Sequence, residues 1–402
     1  MVETKRRGFL ATAFGGVAVG GLASKAKGQG GSGATTGLVT SPPVVMAPRG
    51  DGVEIAWSVS RLSLGWVELK TAEGTKYLAQ DGWGFMPQGE KVLRARLDGL
   101  KPGTFYRYRV VTEAAEGSAL RVESEWREFR TLDPGSSSSR FVVWNDTHDN
   151  GETLKALDAA TPAADFLLWN GDANKNKWTS EELIVPTLLN PGGTDFTAKR
   201  PLAFSWGNHD VRGEYGFQVS DYIAMPEGRP YYAMRSGPLA AVVLNTGEDK
   251  ADEHPSFKGR VAFDALRREQ VVWFEREVLG RPEFRDAPYR VVFCHLPLRW
   301  VDDGRQRTFD IFSARSQVLW HEMLVKWGTQ VVISGHIHRA GKIEANAEFP
   351  YAQITGGGPT LDQATWIDGE ADSKCLRLKV NALTGETRIE MEFPPIVNLQ
   401  PE

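Results

Sequence analysis

The chain predicts an α/β fold of layered sheets covered by helices (α+β in type, two sheets), preceded by a small all-β sandwich. Three observations predict it. Between residues 37 and 133, short alternating apolar runs recur every ten or so positions and are broken by turn residues. From residue 140 onward, strand-length apolar runs alternate with stretches of helical periodicity. Five of those runs stop at a carboxylate, an amide or an imidazole, which gathers polar groups at strand ends.

A chain of 402 residues is long enough for two hydrophobic cores. Its formal charge of -4 offers no basic field, so composition predicts no nucleic-acid binding. The only cysteines, Cys294 and Cys375, are too few for a disulfide framework; one bridge between them and two unpaired thiols both fit.

Residues 1–26 begin with Lys5, Arg6 and Arg7, continue through an apolar run from Phe9 to about Ala23 diluted by four glycines, and end on small residues at Ser24 and Ala26. The run is short for a membrane span, which needs about 20 apolar residues. The segment resembles a twin-arginine signal peptide cleaved after Ala26. The resemblance implies the twin-arginine export machinery as a partner, a periplasmic or extracellular destination, and no stable membrane anchor after cleavage. Residues 27–36, rich in Gly and Ser, read as a flexible linker.

Within 37–133, Val53, Ile55 and Trp57 alternate with polar neighbours, as do Val67 and Leu69 and then Tyr106, Tyr108 and Val110. The stretch from Leu97 to Tyr108, Leu-Asp-Gly-Leu-Lys-Pro-Gly-Thr-Phe-Tyr-Arg-Tyr, resembles the corner and penultimate strand of a fibronectin type III module. That resemblance implies a tyrosine bonded back to the corner and Trp57 in the core. Trp83, Phe85 and Trp126 fall outside this core and are expected to overhang the neighbouring site. Asp133, Pro134, Gly135 and four serines then break the pattern, so 134–139 is read as a linker and 140–402 as the second domain.

In that domain the spacing predicts helices over 152–160, 180–189, 264–279 and 313–327, the second interrupted by Pro186. Strands are predicted over 289–294, 330–334, 351–355, 375–380 and 387–393, besides the apolar runs ending at Trp144, Trp169 and Ser205.

Each polar strand end has an ordinary structural reading when taken alone. Asp146 and His148 fit a turn carboxylate and a surface histidine, Asp172 and Asn208 fit Gly-Asp and Gly-Asn turns, and His295 fits a satisfied core histidine. The census argues otherwise. Five of the seven histidines, at 148, 209, 295, 336 and 338, sit within a few residues of the end of an apolar run, and core filling gives no reason for that.

In order, Asp146-Thr147-His148, Gly171-Asp172, Gly207-Asn208-His209-Asp210, His295 and Gly335-His336-Ile337-His338 resemble the five sequence blocks of the calcineurin-like metallophosphoesterases. Together with the sandwich upstream they also resemble the purple acid phosphatase arrangement. The chain departs from that arrangement at Lys175, where those enzymes carry a tyrosine ligand, and at His148, which they lack. The resemblance implies one metal ion held by Asp146, His148, Asp172 and His338, and a second held by Asp172, Asn208, His295 and His336. The mixed N and O donors suit Mn, Fe, Zn or Co in divalent or trivalent form. It further implies a phosphate-ester substrate attacked by a hydroxide bridging the ions, with His209 polarising the phosphate and protonating the leaving oxygen. Asp210 is expected to orient His209, and Arg339 and Lys175 to clamp the phosphate. Phosphomonoester or phosphodiester preference stays open, as does a non-catalytic binding role. Loops 174–179, 213–221 and 297–312, with Trp178, Tyr215, Phe217, Trp300 and Arg305, are expected to decide the substrate.

Overall fold

Why the apolar runs end where they do follows from the sheets they build. A computed structural model describes residues 37–71, 74–78, 84–116, 120–257, 259–300 and 313–397. Trp83, Arg305, most of the 297–312 loop, the leader-like segment 1–26 and the linker 27–36 lie outside them.

A nine-stranded sheet runs in the order Thr387–Phe393, Leu376–Ala382, Thr365–Ala371, Ser139–Trp144, Phe166–Asn170, Leu202–Ser205, Val44–Met46, Gly52–Ser58, Val92–Asp98. Its middle is parallel, with Phe141 opposite Phe166 and Leu167 opposite Leu202. A six-stranded sheet runs Tyr232–Ser236, Leu239–Val243, Tyr289–Phe293, Val331–Ser334, Ala352–Thr355, Gly341–Ile343, again with a parallel middle. The two sheets share one core. Phe141 of the first meets Phe293 of the second edge-on at 5.5 Å between ring centroids. Strand alternation sends Val291 and Phe293 into that core and Val292 and Cys294 to the opposite face. There they pack with Trp273 and Phe274, and with Trp320, Leu324 and Trp327 of the helix Ala314–Trp327.

Three strands of the nine-stranded sheet come from the N-terminal stretch. Met46 pairs in parallel with Leu202, so the strand Val44–Met46 extends the sheet that carries the candidate site. Val44 and Met46 enter the shared core while Val45 enters a separate core with Ile55, Trp57, Leu69, Tyr108 and Phe129. That second core is closed by a sheet built on Ser63–Thr71 and Phe105–Ala114. The expected fold class is therefore present, an all-β sandwich followed by layered α/β. Trp57 is fully buried and its indole N–H donates to Thr112 Oγ1 at 2.9 Å. The corner forms as well, with the Lys101 N–H donating to the Tyr106 hydroxyl at 2.8 Å. Trp126 does not overhang the site: the Lys70 ammonium lies 4.4 Å and the Arg109 guanidinium 4.9 Å from its ring, both on the sandwich's own strands.

The helices at Gly151–Ala160 and Ala314–Trp327 begin at capping side chains, Asn150 and Ser313, which accept from backbone amides of the first turn. The helix expected over 264–279 is α-helical at Phe263–Trp273 and widens into a π-helix at Phe274–Leu279. Residues 180–189 form a 3₁₀ turn, Glu181–Leu183, and a π-helix, Val185–Leu189. Pro186, which has no N–H to give an α-helical ladder, stands in the first turn of the π-helix. Sequence reading gave no element to the hairpin Tyr232–Ser236 and Leu239–Val243 or to the strand Thr365–Ala371. Cys294 and Cys375 are free thiols.

Candidate metal centre

Three strands of the large sheet and two of the smaller one direct their carboxyl ends to one place. Ser139–Trp144 leads to Asp146 and His148, Phe166–Asn170 to Asp172, and Leu202–Ser205 to Asn208 and His209. Tyr289–Phe293 leads to His295 and Val331–Ser334 to His336 and His338.

Leaving a strand abruptly has a conformational cost. Asp146, His148, Asp172, His336 and His338 all have φ between 50° and 70°, the left-handed region. Asp and His tolerate it better than most residues, yet such positions cost about 1–3 kcal/mol each and persist only where the surroundings enforce them. Here backbone bonds lace the loops together. The His148 N–H donates to Asp172 O at 3.0 Å and the Asp146 N–H to Gly171 O at 3.2 Å. Both carboxylate oxygens of Asp146 accept from the His336 N–H, at 2.9 and 2.8 Å.

The side chains converge on two buried carboxylates. Asp172 Oδ2 faces three imidazole Nε2 atoms, those of His295 at 3.2 Å, His148 at 3.6 Å and His209 at 3.8 Å. Asp146 Oδ1 faces His338 Nε2 at 3.5 Å and His295 Nε2 at 3.8 Å. Donor atoms of Asp146, His148 and His338 lie within 4.8 Å of one another, and so do those of Asp172, His295 and His336. Asn208 is fully buried between Gly207, which packs on the Asp172 carboxylate, and His209, whose N–H donates to Asp172 Oδ1 at 2.8 Å.

Four polar side chains here are buried without hydrogen-bond partners at one atom or more: His148 Nε2, His295 Nε2, His209 Nδ1 and both amide atoms of Asn208. Leaving such atoms unpaired costs about 1–3 kcal/mol apiece. Metal coordination would account for those of the expected ligands. His295 shows the usual second contact of a metal-binding histidine: its Nδ1 lies 2.9 Å from Asn170 O, a carbonyl that can only accept, so Nδ1 carries the proton and Nε2 points inward. The donors are nitrogen and oxygen, with Cys294 turned to the other face of its strand. The residues fit a pair of metal ions.

Charge follows this geometry. Burial alone would depress the His295 imidazolium, but Asp172 and Asp146 push it up to about 10. Burial would raise Asp172, yet His295, His148 and His209 hold its carboxyl well below the usual carboxylate range. Burial drives His336 down to about 4, with the His295 charge adding to the fall. Burial likewise pushes His209 down to about 4, against Asp172 and helped by Arg212.

Arg212 escaped sequence reading. Its Nη1 lies 3.1 Å from His209 Nε2, and because a guanidinium only donates, the imidazole accepts. Arg212 is held from behind by two buried acids, Glu248 at its Nε and Asp249, 3.0 Å from its Nη2. Those acids follow Leu239–Val243, a sixth strand end that the hairpin's short apolar run concealed. Asp210, expected to orient His209, serves otherwise. Its carboxylate accepts from the backbone N–H groups of Gly207, Ala173 and Asn174 at 2.9, 3.0 and 3.2 Å, tying two ligand loops together. Trp178 is core, its indole N–H donating to Asp210 O at 2.9 Å. Lys175 and Arg339, the expected phosphate clamps, are both exposed.

Residues 139–340 match the family model described as calcineurin-like phosphoesterase. No curated protein matches the sequence. Among solved structures, the chain is similar to a purple acid phosphatase, PPD1 from yellow lupin (Lupinus luteus) seeds, with 13% identity, TM-score 0.66, and 88% of this chain and 74% of that one covered. It is also similar to PhoD, with 14% identity, TM-score 0.59, and 88% of both chains covered. At such identities the likeness is one of fold.

Proposed function

Because the chain belongs to the calcineurin-like phosphoesterases and is a metal-dependent phosphoric ester hydrolase, we propose that it is an exported enzyme with a dinuclear centre. In this reading Asp146, His148, Asp172 and His338 hold one ion, and Asp172, Asn208, His295 and His336 the other. The observation that carries it is Asp172 Oδ2, which faces imidazoles delivered by both sheets and so suits a bridging ligand. Metal ions bound there would supply Lewis acidity toward the phosphoryl oxygens and a hydroxide nucleophile near neutral pH.

The chain's own groups do the rest. Asp210 fixes the two loops that present Asp172 and Asn208. Arg212 sets the ring of His209. A phosphoryl dianion beside His209 draws the Arg212 N–H groups to itself and frees His209 Nε2; that nitrogen takes up a proton from solvent water and gives it to the departing ester oxygen. In balance, a water oxygen joins phosphorus, the P–O ester bond breaks, and the alcohol leaves with a proton. Such proton transfer is worth about 10² to 10⁴ in rate. Lys175 and Arg339 remain proposed contacts to phosphate at the exposed edge.

The twin-arginine-like segment 1–26 supports export, with cleavage after Ala26. Among the described residues no helix is long and apolar enough to cross a membrane. Replacing Arg6 and Arg7 by lysine should hold the chain, uncleaved, in the cytoplasm.

Turnover of one chromogenic phosphomonoester and its matching diester, with and without Mn²⁺ or Zn²⁺, tests the function. Metal-dependent hydrolysis of either supports the reading and selects the ester class. Hydrolysis of neither, with metal bound, would favour an exported binding protein.

A further inference from the structure

His209 lines a cavity of about 920 Å³ whose walls include none of His295, His336 and His338. That volume lies in the range of small-molecule sites and far exceeds what a phosphate group alone needs. His209 both lines the cavity and reaches Asp172, so an ester oxygen held at His209 can extend its organic group into this space.

One wall is apolar and aromatic, formed by Trp206, Val211, Phe257, Val261, Phe263 and Leu266, and polar side chains complete the lining. Several are fixed. Trp206 packs edge-on against Phe204 at 5.9 Å and its indole N–H points to Met225 Sδ at 3.1 Å, while Phe257 and Phe263 pack edge-on at 6.3 Å. The inner cations Arg212 and Lys250 both pair with Glu248 and Asp249, while Lys177, Arg260 and Glu214 line the cavity from exposed positions. The cavity therefore presents a hydrophobic wall beside a neutralised ion cluster, which suits a flat apolar group better than a polyanion.

We propose that this cavity binds the alcohol part of the substrate, and that the preferred substrates are phosphate esters of large aromatic or otherwise flat apolar alcohols. The proposal rests on the phosphoesterase reading above and names the substrate class of that same site.

Phenyl and 4-biphenylyl phosphates test it, because their leaving groups are similar in acidity and differ in size. Each ester is made both as a monoester and as a methyl diester, and kcat/KM is measured on the metal-loaded full chain. Burying one further aromatic ring predicts a biphenylyl preference of about tenfold or more in whichever class turns over. Val261→Trp, which fills the cavity from a partly exposed position, should bring that ratio toward one; Leu266→Trp offers an independent filling from the helix Phe263–Trp273. A wild-type ratio near one, or a ratio that survives both folded variants, overturns the proposal while leaving the phosphoesterase reading intact. If neither variant folds, the wild-type ratio alone decides. Absence of turnover with all four esters removes the phosphoesterase reading and the substrate class together.

Discussion

Arg212 Nη1 stands 3.1 Å from His209 Nε2, with Glu248 and Asp249 bracing the guanidinium from behind. The general acid of the proposed reaction thus rests neutral, accepting a hydrogen bond from a fixed cation. Arg212→Gln should lower kcat/KM by about 10- to 100-fold, the usual loss for a group that orients a functional histidine. It should also let His209 rise from about 4 toward the ordinary value, since one of the influences lowering it is gone. A general acid must carry its proton, so the alkaline limb of the kcat/KM profile should move to higher pH. A profile superposable on that of the wild type would place Arg212 outside the mechanism.

His209→Ala should retain bound metal and lose about 10² to 10⁴ in kcat. Metal analysis beside turnover separates this outcome from a ligand's; a variant stripped of metal would mean that His209 is itself a ligand.

Gly207 leaves no room for a side chain. A Cβ there would stand 2.2 Å from both the N and the Oδ1 of Asp172. Gly207→Ala should displace that carboxylate and weaken metal binding by about 10- to 100-fold or more, as read by calorimetry, with the far-UV spectrum unchanged. Unaltered affinity would show that the loop yields without moving Asp172.

Much of this centre was legible because strand ends announce themselves: an apolar run halted by Asp146, Asp172 or His295 is visible without coordinates. The left-handed backbone at five of the expected ligands was not, since it arises from loops laced to one another across strands distant in sequence. Asp210 was assigned by adjacency to His209, whereas its partners, the Ala173 and Asn174 amides, lie on another loop. Arg212 was invisible because its meaning depends on Glu248 and Asp249. The strand Thr365–Ala371 was hidden by Gly369, where a Cβ would stand 2.1 Å from the Phe141 ring, a close approach that only the paired strands reveal.

Metal binding should release protons. In the chelator-stripped chain His295 is held near 10 by Asp172 and Asp146, so at pH 7 it carries a proton that an incoming ion must displace. Its raised value works in one direction: below about 10 the proton competes with metal, and the competition relaxes as pH rises. Apparent affinity should therefore climb about tenfold per pH unit for each proton displaced between pH 6 and 8. Calorimetry in buffers of differing ionisation enthalpy counts the protons; a pH-independent affinity would show that His295 is not displaced.

Met46 pairs with Leu202, and Val44 and Met46 fill the core beneath the candidate site. A chain beginning at residue 134 would bare the edge of Leu202–Ser205 and part of that core. It should be insoluble or unfold at markedly lower temperature, whereas residues 37–402 should unfold in one calorimetric transition. Two separated transitions would contradict this coupling.

The central claim is that Asp172 joins two metal ions. Metal content and ester turnover, measured side by side on the purified wild-type chain and on Asp172→Ala, test it most directly. A bridging Asp172 predicts two ions per wild-type chain, and a variant that loses both ions together with turnover. A variant that keeps two ions would contradict it.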